Sequence, residues 1–545
     1  MPSRSLGHRA PLLWLVLPFI AGLVLAKVTG SRFILLPLLL ALGCGGIGLW
    51  SVRRSHSAWA PALGLTMLLA GLASHPLHRV RLDVWDSLPA REAQLVLRVD
   101  RVFAPGDARR TAGLGTVAGT DPHLRELVGQ RLYFSLQLPE SQAPPIRGTV
   151  LSTVGVLVAL PENPPLETFD GFLAGAGMTF RLTRGRVLGE IHPAPAVQRA
   201  YARLASFFSA VLGQGIEEKR PTLAGLLRAM MLGATRELSD EQHALFMQSG
   251  TMHLFAISGL NIGVIAGALQ ALLLLARLPA WPRFLIGAAL LWIFVETTGA
   301  SASAVRAFAM AVFVQAALVL RQPANVLAAL VLSAFVVLLV SPLQVFSASF
   351  LMSYTIVLAL LTLGLPLSDA WLERWSPWRE LPRPAWRPWQ RVVANAWRLT
   401  VPSLAIGLAT MPASLLTGVQ YFQLLTPGSL LTNLLLIPGA MIVTVGGFAS
   451  LVCGLIGFEG GVIVCNHAAA LVLWLIEQVV RLSVEWPGAF MPARFVAGWV
   501  GPVSLATLIG TLLAGYASNW SAKHGGWWPP VVVVGLTLGF GLEYL

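Results

Sequence analysis

Apolar blocks close to the length of a bilayer crossing, separated by short polar breaks, constrain this chain of 545 residues more than anything else in it. Leu12–Leu25, Phe33–Leu49, Val305–Leu320 and Leu327–Val340 are runs of this kind. A helix crossing about 30 Å of hydrocarbon takes roughly 20 residues, and every backbone N–H and C=O must be satisfied within the protein. Hydrophobic residues make up 55% of the chain and charged residues only 12%. Soluble domains carry about 25% charge, so a soluble fold of this composition would expose large apolar patches. The 52 glycines and 36 prolines suit packed membrane helices better than a soluble bundle.

Spans are expected over Leu12–Leu25, Phe33–Trp50 and Trp59–Ala73, then over residues 251–276, 283–298, 304–320, 326–341, 350–366, 401–417, 430–449, 460–480, 495–515 and 530–542. Leu223–Leu232 is apolar but too short to span, which suits an interfacial or re-entrant helix. Arg4 and Arg9 precede the first run and place the amino terminus in the cytoplasm, while Arg53 and Arg54 anchor the end of the second span inside. A cleaved signal peptide is the competing reading, but that first run is long for one and two more follow it. The third span then delivers the next segment outside, although Arg79 and Arg81 run against that assignment. The net charge of +13 is gathered around apolar segments, so the high pI alone does not indicate nucleic-acid binding.

Residues 80–195 change character. Gln94–Val102, Arg131–Leu138, Thr153–Leu160 and Phe180–Glu190 alternate as strands do, with Pro, Gly and Asp turns between them. The fold class is therefore a polytopic α-helical membrane protein with a small exported β-rich domain near the N-terminus. Its divisions are 1–79 for the first spans, 80–195 for the β-rich domain, and 196–545 for a multi-span helical body. The domain is balanced in charge and suits either an accessory binding module or a structural collar.

Within the body, residues 371–398 interleave arginine with Trp371, Trp375, Trp378, Trp386, Trp389 and Trp397. This composition fits a cytoplasmic-side loop resting on the headgroups, since adjacent spans need interfacial anchors. It could also stack on single-stranded nucleic acid.

The polar residues inside apolar helices carry the functional signal. Gly259, Gly263 and Gly267 recur every fourth residue, giving a smooth stripe for close helix packing. Ser258 and Asn261 lie on one side of the same helix, with His253 a turn earlier, and hydrocarbon offers them no partners. Interhelical hydrogen bonding and the lining of a conduit both account for them. Ser301 and Ser303 lead into Arg306, which faces either a cavity that attracts anions or the end of its span, where it would snorkel. Glu296 lies ten residues before Arg306 and could meet it only through folding or a break near Gly299. Gln344, Gln420, Gln423, Asn433, Asn466 and His467 are weaker candidates. No Walker loop, His-Glu-x-x-His, His-x-His-x-Asp-His or Gly-x-Ser-x-Gly pattern occurs. No catalytic centre, cofactor or metal site is expected, and Cys44, Cys453 and Cys465 read as small buried hydrophobes.

His253-Leu-Phe-Ala-Ile-Ser-Gly-Leu-Asn-Ile-Gly263 and Thr298-Gly-Ala-Ser-Ala-Ser-Ala-Val-Arg306 resemble signatures of the ComEC family of competence proteins. So do Leu232–Ser239, Gln248–His253, Pro323–Leu327, Ser349-Phe-Leu-Met-Ser-Tyr354 and Pro427–Leu435, and the stretch from Asn163 to Met178. With these motifs in the expected order, the resemblance covers the chain from about residue 20 to 515. The resemblance implies that the β-rich domain is OB-like and that the body is a channel passing single-stranded DNA across the bacterial inner membrane during natural transformation. His253, Ser258, Asn261, Ser301, Ser303 and Arg306 would then contact the strand. Implied partners are a periplasmic DNA receptor, a cytoplasmic translocation motor and a separate nuclease, in a lipid bilayer, with a homo-oligomer left open. Two departures stand out. Asn261 replaces the family's histidine, which removes a titratable imidazole but keeps a hydrogen-bonding role. The sequence reaches Leu545 without the metallo-β-lactamase-like domain that many members carry, so nuclease activity is expected from another polypeptide. A gradient-driven carrier of a smaller anion or envelope precursor, and a non-transporting scaffold, are the alternatives.

Overall fold

The computed structural model describes residues 10–544 apart from 54–57, 80, 81, 87, 108, 140–142, 163, 256, 257, 323, 324, 379, 380 and 382–385. Arg4, Arg9, Arg54 and Arg81, and the motif positions Asn163, Ala256, Ile257, Pro323 and Ala324, lie outside the described residues. The first three helices among the described residues are α1 (Leu13–Thr29), α2 (Leu35–Arg53) and α3 (Trp59–His78). The crossing of α1 and α3 depends on two glycines. A Cβ on Gly22 would lie 1.9 Å from the Leu68 carbonyl oxygen, and one on Gly71 would lie 2.2 Å from that of Phe19.

The β-rich region is a closed five-stranded barrel, as an OB-like fold requires. It is built from β1 (Arg91–Asp107), β2 (Arg110–Thr120), β3 (Arg131–Gln137), β4 (Val150–Ala159) and β5 (Phe180–His192). The strand order is β1-β2-β3-β5-β4, with β4 returning to β1. Only β3 and β5 run parallel. Alternating side chains fill the interior, among them Leu95, Leu97, Leu132, Phe134, Leu151 and Leu182, all essentially inaccessible. The sequence reading has four strands where the barrel has five. β2 escapes it because Gly113, Gly115 and Gly119 resemble a turn, whereas packing demands at least the first of them. A Cβ on Gly113 would lie 2.2 Å from the Arg101 carbonyl oxygen and 2.7 Å from the Phe134 ring. A short helix, α4 (Phe169–Gly175), capped by the Thr168 hydroxyl, joins β4 to β5.

Among the described residues the helices after the barrel are α5 (Ala196–Gly213), α6 (Pro221–Leu232), α7 (Asp240–Gln248), α8 (Gly259–Leu275), α9 (Ala280–Thr297), α10 (Ala302–Val319), α11 (Val326–Val340) and α12 (Ala348–Ala359). They continue with α13 (Leu365–Arg374), α14 (Pro388–Phe422), α15 (Ser429–Leu455), α16 (Glu459–Val484), α17 (Val500–Ala517) and α18 (Trp528–Phe540). Among the described residues ten helical segments are long and apolar enough to cross a membrane, counting α12 to α13 as one. The chain is a multi-pass membrane protein. The short α6 is not at a surface: Leu223, Ala224, Leu226, Leu227, Met230 and Met231 are all buried, in the core shared with α5, α15 and α16.

Two spans run longer than their apolar runs. The turn Leu360–Gly364 between α12 and α13 is π-helical and carries the helix onward to Arg374. Pro366 has no N–H for the Thr362 carbonyl one turn back, and the Trp520 indole N–H donates to that carbonyl at 2.8 Å. The Arg/Trp-rich stretch is helical at both ends, because α13 ends at Arg374 and α14 begins at Pro388. Its indoles pack on one another, Trp371 on Trp375 at 5.1 Å and Trp378 on Trp389 at 5.3 Å. A small antiparallel sheet of β6 (Leu424–Leu425), β7 (Met491–Phe495) and β8 (Leu542–Tyr544) ties together the ends of α14 and α18 and the segment after α16. Its strands are too short for periodicity to reveal.

Candidate functional site

The Thr298–Arg306 stretch builds a sharp reversal between α9 and α10. Gly299 and Ala300 both take left-handed backbone angles, φ +84° and +46°, and the Ala300 N–H donates to the Val295 carbonyl at 2.9 Å. Ser301 then caps α10, its hydroxyl accepting from the Ala304 N–H at 3.2 Å. Arg306 follows one turn into the helix and is 1% exposed. Its Nη2 donates to the carbonyl and the hydroxyl of Ser349 at 2.7 and 2.8 Å. The guanidinium carbon lies 5.8 Å from the centre of the Tyr354 ring, and the Tyr354 hydroxyl pairs with that of Ser333 at 3.1 Å. Among the described residues the Nε and Nη1 groups of Arg306 have no protein acceptor. A buried guanidinium held by a carbonyl, a hydroxyl and an aromatic face keeps its positive charge uncompensated and donors to spare.

Glu296 does not reach Arg306. It pairs instead with Arg147, in the turn before β4, at 3.1 Å. The break at Gly299 turns the chain but sends the carboxylate toward the barrel, so the barrel is tied to the last turn of α9.

Ser258 caps α8 by accepting from the Asn261 N–H at 3.3 Å. Asn261 is 2% exposed. Its amide donates to the Met230 carbonyl of α6 at 3.2 Å, and its oxygen accepts from Thr444 of α15 at 3.5 Å. One side chain thus joins three helices. Gly259 faces Ala307, the neighbour of Arg306, with 3.8 Å between the two Cβ positions. Around Gly263 and Gly267 the structure leaves open space. His253 is exposed, with Nδ1 3.0 Å from the Gly250 carbonyl, and Ser303 is half-buried. Gly250 itself lies against Thr426 and Ser429, so the segment before α8 meets the Pro427–Leu435 stretch.

Among the weaker candidates, Asn466 is fully committed. It donates to the Val211 and Gln214 carbonyls at 2.8 and 3.0 Å and accepts from Ser450 at 2.7 Å. Sequence reasoning missed Ser349 and Tyr354 as partners of Arg306, although both lie in a quoted motif. The available signal was a serine and a tyrosine flanking an otherwise apolar stretch.

The barrel contributes a second feature. Phe103 stacks on Tyr133 at 6.2 Å, Tyr133 meets Phe169 edge-on at 5.0 Å, and Phe169 stacks on Phe172 at 6.0 Å. Arg101 lies over Phe103 and Arg181 over Phe169, at 5.7 and 5.8 Å. Phe169 and Phe172 are nearly half exposed. Planar rings and guanidinium groups on an open face are the chemistry that stacks unpaired bases. Among the described residues, no group of three His, Cys, Asp or Glu side chains is arranged to hold a metal ion.

A sequence model of the Competence protein family matches residues 230–518, just over half the chain and the whole of the region around Asn261 and Arg306. The chain belongs to this family. ComE operon protein 3 of Bacillus subtilis (strain 168) is 27% identical to it over 141 residues, which is 26% of this chain and 18% of that relative. The chain thus matches under a fifth of that protein's length. No solved structure matches this competence-family chain.

Proposed function

We propose that this chain is an inner-membrane channel that passes single-stranded DNA into the cytoplasm during natural transformation. The observation that carries the reading is Arg306: a buried guanidinium with no carboxylate partner among the described residues, at the point where α10 and α12 meet. Family membership supports a role in DNA uptake, and the Arg306 cluster supplies a phosphate contact inside the body. Because Arg306 is 1% exposed, the arrangement described is closed, and conduction requires α10 and α12 to part. The Ser349 hydroxyl and carbonyl hold the guanidinium until a phosphate replaces them.

The other residues take graded roles. His253 and Ser303 are available for contact. Ser258 and Ser301 hold helix ends, and Asn261 positions α8 against α6 and α15. The barrel faces the periplasm, and its Phe169–Phe172 pair receives the strand before it enters. Movement without base readout needs sparse contacts, because every bound step must also release. The chain does no chemistry on the strand. A periplasmic receptor, a cytoplasmic motor and a separate nuclease complete the system.

The experiment is transformation and uptake of labelled DNA in a clean deletion strain, complemented by wild type and by Arg306→Ala at matched membrane levels. Wild type restores uptake and Arg306→Ala does not. Equal uptake by the two removes Arg306 from the mechanism, and unaffected transformation in the deletion strain removes the DNA reading. The buried guanidinium equally suits a carrier of a smaller anion. Solute flux by reconstituted protein without DNA passage would favour that second reading.

A further inference from the structure

We infer that the helical hairpin of α13 and α14, on the face opposite the barrel, binds single-stranded nucleic acid through the indoles and guanidinium groups at its tip. The inference rests on the proposed route only in naming that face as the strand's exit. The sequence leaves residues 371–398 between a headgroup anchor and a nucleic-acid contact, and the reach of the hairpin separates the two. α12 starts beside the turn Pro342–Phe346, which lies against α4: a Cβ on Gly175 would sit 3.6 Å from the Phe346 carbonyl oxygen. The continuous helix Ala348–Arg374 then runs 27 residues away from the barrel, about 40 Å at about 1.5 Å per residue. α14 returns over 35 residues and ends where the Tyr421 hydroxyl donates to the same Phe346 carbonyl at 3.5 Å. Counted back from Phe422, roughly 20 residues of α14 cross about 30 Å of hydrocarbon. The turns that precede them extend about 20 Å further, past a headgroup layer of about 5–7 Å.

The tip carries apolar rings into water. Trp375 and Trp389 are 49% and 54% exposed, and Arg374, Arg387 and Arg391 near them are exposed as well. Each of the two rings is backed by another indole, Trp375 by Trp371 at 5.1 Å and Trp389 by Trp378 edge-on at 5.3 Å. Trp378 also meets Trp386 at 6.3 Å, and the Trp386 indole N–H donates to the Leu381 carbonyl at 3.0 Å. The rings are thus held in place with open surface left on them, and a ring already fixed loses little freedom when a base stacks on it. Residues 371–398 hold six arginines against two glutamates, a charge that complements a phosphate backbone. Indoles stack on any base and guanidinium groups meet phosphate without reading sequence, which suits a strand of arbitrary composition. Rings serving only as a membrane anchor would stand at the headgroups, not beyond them.

The test places full-length wild type in phosphatidylcholine nanodiscs with a short oligodeoxythymidine carrying 5-iododeoxyuridine. Ultraviolet cross-linking follows, and the joined residues are mapped by mass spectrometry. Cross-links are expected at Trp375 and Trp389, more with the single strand than with a duplex of the same sequence, and fewer as salt is raised. This map needs no substitution to fold. Arg374→Gln with Arg391→Gln should lower the yield at both tryptophans about tenfold, and Arg374→Lys with Arg391→Lys should keep most of it. The inference is overturned by a wild type that cross-links only elsewhere, by equal yields from the duplex, or by yields that survive the glutamine pair. Loss of the cross-links when phosphatidylglycerol enters the nanodisc returns the tip to the headgroups and overturns it too. Absent cross-links in a protein that restores uptake remove this site and leave the proposed channel standing. Cross-links at the tip together with normal transformation of the deletion strain support the site and remove only its place on an uptake route.

Discussion

Arg306 and Ser349 are 43 residues apart in sequence, and one guanidinium nitrogen of the first donates to both the carbonyl and the hydroxyl of the second. The contact closes α10 against α12. Arg306→Ala removes the charge, and Arg306→Lys keeps it while losing the planar fork. If the site meets a phosphate, both variants insert, Arg306→Ala lowers DNA uptake by about tenfold or more, and Arg306→Lys falls between it and wild type. Uptake of labelled DNA normalised to membrane-inserted protein reads the difference.

Asn261 predicts a different pattern. Asn261→Leu leaves the Met230 carbonyl without its side-chain donor inside the body, at a cost of roughly 1–3 kcal/mol, whereas the Thr444 hydroxyl keeps the Ala440 carbonyl as acceptor at 2.8 Å. Thermal unfolding in detergent should register that loss, and uptake should fall in step with the amount of folded protein. A variant of wild-type stability that fails to take up DNA would instead place Asn261 on the strand's path.

Much of the fold was legible because its signals are local. The long apolar runs announced the membrane helices, and alternation marked four barrel strands. β2 was hidden because its glycines answer to Arg101 and Phe134, contacts a sequence does not display. The site was half legible for a related reason. An arginine and an asparagine in apolar surroundings are conspicuous at once, whereas Ser349, Tyr354, Met230 and Thr444 become partners only when helices pack. Glu296 shows the limit most clearly: the sequence allowed a meeting with Arg306 only through folding or a break near Gly299, and the folded chain pairs it with Arg147 instead.

The Arg147–Glu296 pair tests whether the barrel is fastened to the body. Arg147 is half exposed and Glu296 only 10% exposed, so solvent screening limits the coupling to about 1 kcal/mol or less. Arg147→Glu should loosen the barrel, and Glu296→Arg added to it should restore the tie. Cross-linking between cysteines introduced on either side of the contact would report both changes, and indifference to the charge swap would remove the pair as a fastening.

Stability should also depend on pH through Glu217. Its carboxylate accepts from Arg228, which also donates to Glu237 at 3.0 Å and to the Ser209 carbonyl at 2.9 Å. The hydrogen bond to Arg228 holds the Glu217 carboxyl below its ordinary value, against a smaller opposing effect of burial. A depressed carboxyl stabilises the fold above its unfolded pKa of about 4.3 and loses that contribution as pH falls through the folded value. Unfolding temperatures compared between neutral and acidic buffers should therefore drop less for Glu217→Gln than for wild type. Equal drops would leave the carboxylate without a role in acid sensitivity.

Trp520 offers the sharpest test of the helix architecture, because its partner is a carbonyl that the helix itself cannot satisfy in the usual way. Pro366 supplies no N–H to Thr362, and the indole N–H does so at 2.8 Å from another helix junction. Trp520→Phe keeps most of the ring's packing against Trp527, which stacks on it at 4.9 Å, yet leaves a buried carbonyl unpaired. The expected loss is about 1–3 kcal/mol in thermal or denaturant unfolding. Adding Pro366→Ala returns an N–H one turn from the orphaned oxygen and should recover part of that loss. Pro366→Ala on its own should gain little, since Trp520 already serves the carbonyl. A double variant no more stable than Trp520→Phe would mean that the proline is not why the indole is needed there.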